Sequence, residues 1–451
     1  GETKIKSKVM DFNIEKGDQK RIVIVGGGFG GLELAKNLRK TGMQIVLIDK
    51  HNYHQFQPLI YQVASAGMEP SSISFPYRRI FQKYKNLYFR LAEVKQIDVK
   101  NKTVITSIGN VSYDYVVLAA GATSNFFGNK EIEKGSMAMK SLSEAARIRN
   151  TVLANIERAI TTEDPVFRQE LLNIVVVGGG ATGVELAGVM SEMKKTILPR
   201  DYPELDASLM NVYLIQGDNR LLPAMAPESS QKAIDFLRSM GVNVILSKFV
   251  NDYKNHKVML NDGSSIATRS LIWVSGIIGV AFEGLEKEHY GRGRRLIVDG
   301  YNRVIGLEDV YAIGDQCIMP NVDKAYPGGH PQLAQVAIQQ GKLLAKNLIR
   351  EQKGKKLKTF QYKNLGSMAT IGRNKAVAEF SLFKTQGFIA WVLWLVVHLR
   401  SILGIRNRIV VLLNWLWNYV NYNQSLRLIF RAGRDKTEEE IQQAVQQKDS
   451  N

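Results

Sequence analysis

Gly26, Gly28 and Gly31 form a G-x-G-x-x-G between the run RIVIV and a helical pattern, and Gly178, Gly180 and Gly183 repeat it after NIVVV. Each glycine answers a separate steric demand: a tight turn, room for a pyrophosphate against the backbone, and close packing of helix on strand. The helix N-terminus that follows offers free N–H groups and partial positive charge to the phosphates. Gly30 and Thr182 lie inside the two turns and are expected among the cofactor contacts. Asp49 ends the next apolar run, where a carboxylate can accept both hydroxyl hydrogens of an adenosine ribose. The matching position in the second unit is Gln216. An amide there bonds a ribose hydroxyl but does not repel a 2′-phosphate, so NADH is expected over NADPH with weaker discrimination than an acid gives. Asp315, in YAIGDQC, closes a further strand, and a carboxylate so placed can hold the ribityl hydroxyls of a flavin. Two dinucleotide sites plus this third element point to FAD in the first unit and NAD(H) in the second.

The elements that must hold these residues follow from the apolar pattern. Each unit reads as strand, glycine turn, crossover helix and strand, in continuous runs that suit a parallel sheet buried on both faces. Each is followed by an apolar strand ending in small residues, YVVLAAGATSN (115–125) and LIWVSGIIG (271–279). Ala120 and Gly121 in the first, and Gly276 in the second, are expected against FAD and NAD. The strand DVYAIGDQC (309–317) is expected to have no counterpart in the second unit. The fold class is therefore α/β: two Rossmann-like dinucleotide-binding domains, the NAD domain inserted in the FAD domain. We place the FAD domain at 20–143 and 297–380, the NAD(H) domain at 144–296, a polar N-terminal arm at 1–19, and C-terminal amphipathic, membrane-anchoring helices with a polar tail at 381–451.

The chain has one cysteine, Cys317, which excludes an internal disulfide, a CxxC redox pair and a cysteine-rich metal site. A small buried filler is the expected role, and no metal is assigned. The formal charge is +18, so an anionic partner or surface is required. From Phe380 to Arg434 there is no acid, while Trp391, Trp394, Trp415 and Trp417 cluster there with Arg400, Arg406 and Arg408. GFIAWVLWLVVHL (387–399) is too short to span a bilayer, and IVVLLNWLWNYV (409–420) follows it. Both read as helices lying in a membrane interface, with Trp at the headgroup level and Arg reaching lipid phosphates. The excess charge thus belongs to an anionic lipid surface, and nothing suggests nucleic acid. A chain that does not cross the bilayer cannot carry protons through it.

A helix is expected from about 331 to 349, with Pro331 in its first turn. Ala334, Gln335, Ile338 and Gln339 share one face of it. Read alone, this is an ordinary packing helix with two solvated glutamines; small and neutral-polar side chains would also suit a flat quinone ring against a flavin, their amides bonding its carbonyls without charging the pocket, a reading that rests on the resemblance given below. Ala334 and Gln335 are placed against FAD as well.

Together, VIVGGGFGGLELA, DKHNYHQFQPLIYQVASAG (49–67), VVVGGGATGVELAG, YAIGD and AQVAIQQG (334–341) resemble the type II NADH dehydrogenases, single-subunit NADH:quinone oxidoreductases, from about residue 21 to 420. The resemblance implies that AQVAIQQG is the quinone-site helix. It implies that Glu185, in GVELAG, lies near nicotinamide and flavin; read alone, Glu185 is a dipole partner in a helix's first turn. Lys375 is placed near the quinone pocket, where a solvated base is an equal reading. A homodimer on the cytoplasmic face of the membrane is also implied. The expected activity is a non-pumping transfer from NADH through FAD to a membrane quinone. A flavin reductase of a soluble acceptor (a ferredoxin, a rubredoxin or oxygen) and a non-catalytic dinucleotide sensor are the alternatives.

Overall fold

The computed structural model describes residues 11–422 and 426–430. In chain order its central strands and helices begin with β1 (Arg21–Val25), α1 (Phe29–Asn37), β2 (Gln44–Asp49), β3 (Leu87–Leu91) and β4 (Tyr115–Leu118). There follow β5 (Met137–Ala138), α2 (Leu142–Thr161), β6 (Asn173–Val177), α3 (Ala181–Thr196), β7 (Asn211–Ile215), β8 (Asn243–Ile245) and β9 (Ser270–Trp273). The chain then re-enters the first unit with β10 (Val310–Ala312) and α4 (Ala334–Gln352).

The first sheet runs β10-β4-β1-β2-β3 and the second β5-β9-β6-β7-β8. Every pairing in both is parallel. β1 and β6 sit at the centre and are buried at every position, which is why their sequences are apolar without alternation. The two sheets match in spatial order but differ at one edge in chain order. The expectation that β10 lacks a counterpart is corrected in space but not along the chain: β5, which precedes the second unit's other strands where β10 follows those of the first, takes the same edge place and pairs with β9 through Met137↔Ile272. Two residues are too few to show a period, so it left no mark in the sequence.

Between the sheets, Ala122–Ser124 pairs antiparallel with Ile277–Gly279, so a short ribbon joins the outgoing and returning chain. The N-terminal arm is also corrected from Asp11 onward. Phe12 and Ile14 are buried in the first unit's core. Asp11 pairs at 2.9 Å with Arg21, whose buried guanidinium also bonds Gln44 and the Ile14 carbonyl. Residues 1–10 lie outside the described residues.

After α4 come an antiparallel sheet of β11 (Ser367–Gly372), β12 (Lys375–Glu379) and β13 (Lys384–Gln386), then α5 (Phe388–Ser401) and α6 (Ile405–Asn421). β11 packs on α3 backbone to backbone at Gly188, where an added Cβ would fall 1.6 Å from the Ile371 carbonyl oxygen. One apolar core runs from segment 56–73 through the second sheet to Trp394, Ile402 and Val411 of α5 and α6.

No described helix is long and apolar enough to cross a membrane. At 1.5 Å per residue, α5 and α6 reach roughly 21 and 26 Å against a hydrocarbon layer of about 30 Å. α6 turns a polar edge inward: Asn407 Nδ2 donates to the Ser74 carbonyl at 3.2 Å, Asn414 Nδ2 to Gly67 at 2.7 Å, and Trp415 Nε1 to Gln62 Oε1 at 2.9 Å. Its other face exposes Ile409, Leu412, Leu413, Leu416, Trp417 and Val420, and α5 exposes Phe388, Ile389, Val392 and Val396 beside it. An apolar face that broad is uncommon on a protein meeting only water.

Candidate active site

The two glycine turns are built alike. Gly26 has φ +102° and Gly178 φ +120°, a region closed to most side chains. A Cβ on Gly31 would fall 1.9 Å from the Gly26 carbonyl oxygen, and one on Gly183 would fall 1.7 Å from that of Gly178. A Cβ on Gly28 or Gly180, by contrast, meets nothing within 4 Å, so both turns present open space to a phosphate. Gly30 faces Ile313 and the Ala337 carbonyl instead, where α1 crosses α4. The strand ends close the same way. The Gly27 N–H donates to Asp49 Oδ2 at 2.8 Å, and the Gly179 N–H donates to Gln216 Oε1 at 2.9 Å.

A cleft of about 130 Å³ lies between the units. Ser124, Gly276 and Ile277 of the ribbon region form one wall, Thr182 and Glu185 of α3 a second, and Gln57, Tyr61 and Lys140 a third. Glu185 is buried, and burial pushes its carboxyl up to about 8, with the Thr370 N–H and the Trp394 indole N–H opposing. That indole has no hydrogen-bond partner of ideal geometry among the described residues, so the nearby carboxyl is what faces it. Glu185 stands in the second turn of α3, so the first-turn dipole reading fails. Burial also raises the Tyr61 hydroxyl well above its usual range, reinforced by the charge of Glu185. Lys140 is half-buried, and its ammonium is pulled down by burial while Asp315 and Glu144 oppose. Asp315 is pushed up by burial, against Lys140 and Arg295.

Helix α4 begins at Ala334, not near 331, because Gln332 Nε2 is drawn to the Asp315 carbonyl at 3.0 Å and Leu333 is extended. No side chain caps it, leaving its first N–H groups available. Gln335 and Ile338 are half-buried. The Gln339 amide pairs at both ends with the Lys363 backbone, each bond 3.0 Å. The buried glutamine of this helix is Gln340, whose Oε1 accepts the Gly314 N–H at 2.7 Å. Gln316 similarly bonds the Ala120 N–H and the Val280 carbonyl, both at 2.8 Å, and so fixes the strand end that carries Ala120 and Gly121. Lys375 lies beside Glu192, two turns along α3 from Glu185. Cys317 is buried and its thiol is pushed up to about 12 by burial, as a filler would be.

The aromatic cluster divides. Trp417 is exposed, with Arg400, Arg406 and Arg408. Trp391 is half-buried and stacks on Tyr419. Trp394 is corrected: at 1% exposure it lies inside, stacked on His398 with ring centres 4.0 Å apart and facing Glu185. Trp415 is tied to Gln62. Reading every tryptophan of this stretch as interfacial overlooked that an amphipathic helix has an inner face.

Sequence reasoning missed Tyr61, Lys140 and Trp394 as neighbours of Glu185. With Glu185 they come from four distant segments, and no spacing rule links them. The small-residue ends of the strands were the signal that did point to this cleft.

Residues 20–341 match the family model described as pyridine nucleotide-disulphide oxidoreductase, and residues 364–421 match the NDH2 C-terminal domain. A type II NADH:quinone oxidoreductase of Mycobacterium tuberculosis, NdhA, is 36% identical over 88% of this chain and 87% of its own length. A second from that organism, Ndh, is 33% identical over 89% and 88%. Among solved structures, NDH2 of Plasmodium falciparum in complex with NADH superposes with a TM-score of 0.84 at 20% identity, covering 92% of this chain and 100% of that one. The duplicated glycine turns, the cleft between them and the C-terminal sheet and helices thus fall under one heading: the chain belongs to the type II NADH:quinone oxidoreductase family.

Proposed function

We propose that this chain oxidises NADH and reduces a membrane quinone from the bilayer surface, with FAD between the two substrates. The observation that carries the reading is the cleft itself. It lies between two glycine turns with open phosphate room, and its buried acid is faced by a tryptophan of the helix that exposes an apolar surface. In this reading the first unit holds FAD and the second holds NADH, with the boundary moved from 143 to before β5 (Met137–Ala138), which pairs in the second sheet.

The residues present fit FAD: the space over Gly28, the carboxylates of Asp49 and Asp315, and the uncapped start of α4. Bound FAD supplies a two-electron carrier between nicotinamide and quinone. The chain's own groups do the rest. Gly178, Gly180 and Thr182 hold the NADH pyrophosphate, with Gly276 against its nicotinamide half. The Lys140 ammonium keeps positive charge in the cleft, where negative charge develops on reduction. Glu185 carries its proton at neutral pH and releases it more readily once the nicotinamide has become a cation. Ala334, Gln335 and Ile338 offer a flat wall and a free amide to the quinone, with Gln339 and Lys375 bounding it.

The apolar faces of α5 and α6 seat the protein on an anionic bilayer, with Arg400, Arg406 and Arg408 at the headgroups. Attachment to the inner face of the cell membrane and assembly as a homodimer follow from the family resemblance. The test is an anaerobic titration of the purified yellow protein with NADH, then with a quinone in vesicles. The flavin band should bleach and return. A colourless protein, or a flavin that stays oxidised under NADH, overturns the reading.

A further inference from the structure

We infer that Asp218, not Gln216, sets the preference of this chain for NADH over NADPH. The inference rests on the NADH reading above and assigns its specificity to one side chain. Gln216 stands where an acid would meet the adenosine ribose, one residue past β7, but its amide is already committed. Its Oε1 accepts the Gly179 N–H at 2.9 Å, and its Nε2 donates to Asp218 Oδ2 at 3.2 Å and to the Arg220 carbonyl at 3.4 Å. The amide nitrogen only donates, and the oxygen keeps a single lone pair on a side chain that is itself buried. The acceptor it holds in place is Asp218.

The Asp218 side chain is exposed and makes no ion pair among the described residues. A carboxylate accepts at about four lone-pair sites, of which the Gln216 amide uses one. The others are open to the 2′- and 3′-hydroxyls. Next to it the Phe249 ring, 60% exposed, leans over Gly217, where an added Cβ would meet it at 2.5 Å. A bare aromatic face beside the ribose acceptor suits an adenine ring. The nearby cations turn toward other partners. Arg220 bonds the carbonyls of Pro223 and Met225, and Lys248 pairs with Asp262 at 3.2 Å. Among the described residues no cation pairs with the Asp218 carboxylate, so a 2′-phosphate meets its negative charge there.

Like charges brought together at a binding surface cost enough to discriminate by about tenfold or more, and at an exposed site the effect weakens with salt. The experiment compares kcat/KM for NADH and for NADPH in the wild type, Asp218→Asn, Asp218→Ala and Gln216→Ala, at low and high salt. It also compares equilibrium binding of ADP-ribose with that of its 2′-phosphate. In D218N and D218A the NADPH-to-NADH ratio should rise by about tenfold. Binding of the 2′-phosphate should tighten relative to ADP-ribose, and the wild-type preference should shrink in salt. Q216A should move the ratio less. The flavin spectrum of each variant reports that the chain has folded around its cofactor. An unmoved ratio in D218N and D218A, in proteins with normal spectra, overturns the assignment. A wild type that oxidises neither nucleotide overturns the NADH reading instead.

Discussion

Replacing Glu185 by Gln tests the electrostatics of the cleft without reference to turnover. Burial lifts the Glu185 carboxyl from an ordinary 4.5 to about 8. In the unfolded chain it ionises near its ordinary value, so between these limits the native state binds one more proton than the unfolded state. Stability then falls as pH rises, by about 1.4 kcal/mol per unit. Across the whole gap the loss approaches ~5 kcal/mol, and it levels off above the native value. A glutamine does not titrate. The stability of Glu185→Gln minus that of the wild type should therefore grow steadily from mildly acidic pH to about 8 and then stay flat. Thermal unfolding of the flavin-loaded proteins in one detergent, run at matched pH values, gives this difference directly. The titrations common to both proteins cancel. A difference independent of pH would refute the reasoning, because it would mean that the carboxyl is already ionised in the native cleft. The same proton predicts ligand behaviour: NADH should bind best below the transition and NAD+ gain relative affinity above it.

Trp394→Phe removes the indole N–H that opposes protonation of Glu185, so the pH transition of NADH binding should move upward, and an unmoved or lowered midpoint would count against that contact. Gly31→Ala places a Cβ 1.9 Å from the Gly26 carbonyl oxygen and Gly183→Ala places one 1.7 Å from that of Gly178. The first should empty the protein of FAD, read as flavin per chain; the second should leave the yellow colour and weaken NADH binding roughly five- to hundredfold, since steric relief in a close-packed turn costs ~1–3 kcal/mol. Leu413→Ser, Leu416→Ser and Trp417→Ser combined should cut binding to anionic vesicles by well over tenfold, each exposed apolar side chain being worth ~1.5–3 kcal/mol if fully buried in lipid. Ferricyanide reduction by NADH should survive in that variant, and retained sedimentation with vesicles would remove the proposed membrane face. Cys317, with its thiol up at about 12, should resist alkylation at pH 8 until the protein unfolds; stoichiometric labelling of the folded chain would contradict its burial.

The frame of the molecule was legible because its demands are local. A glycine at 26 or 178 is required by φ, one at 31 or 183 by the carbonyl behind it, and the apolar runs of β1 and β6 by burial on both faces. Asp49 and Gln216 could be placed because a strand's length fixes its end. What was not legible depends on contacts between distant segments. Lys140 and Glu185 line one cleft only because the chain crosses from one unit to the other. The two-residue β5 is a strand solely because β9 offers it an edge. Gln339 and Gln340 are neighbours in sequence, yet one amide serves the Lys363 backbone and the other the Gly314 turn, and composition cannot assign them. Trp394 and Trp417 sit in equally apolar surroundings in the sequence, and only helix phase separates the inner from the outer.

The seam at Gly188 has a mechanical meaning. With α3 lying backbone to backbone on β11, the unit that carries Glu185 is fused to the platform from which α5 and α6 extend. The cleft cannot hinge against those helices without parting that seam. The distance from the cleft to those two helices is then set by the fold, and so is the climb a quinone would make from a bilayer on which they rested.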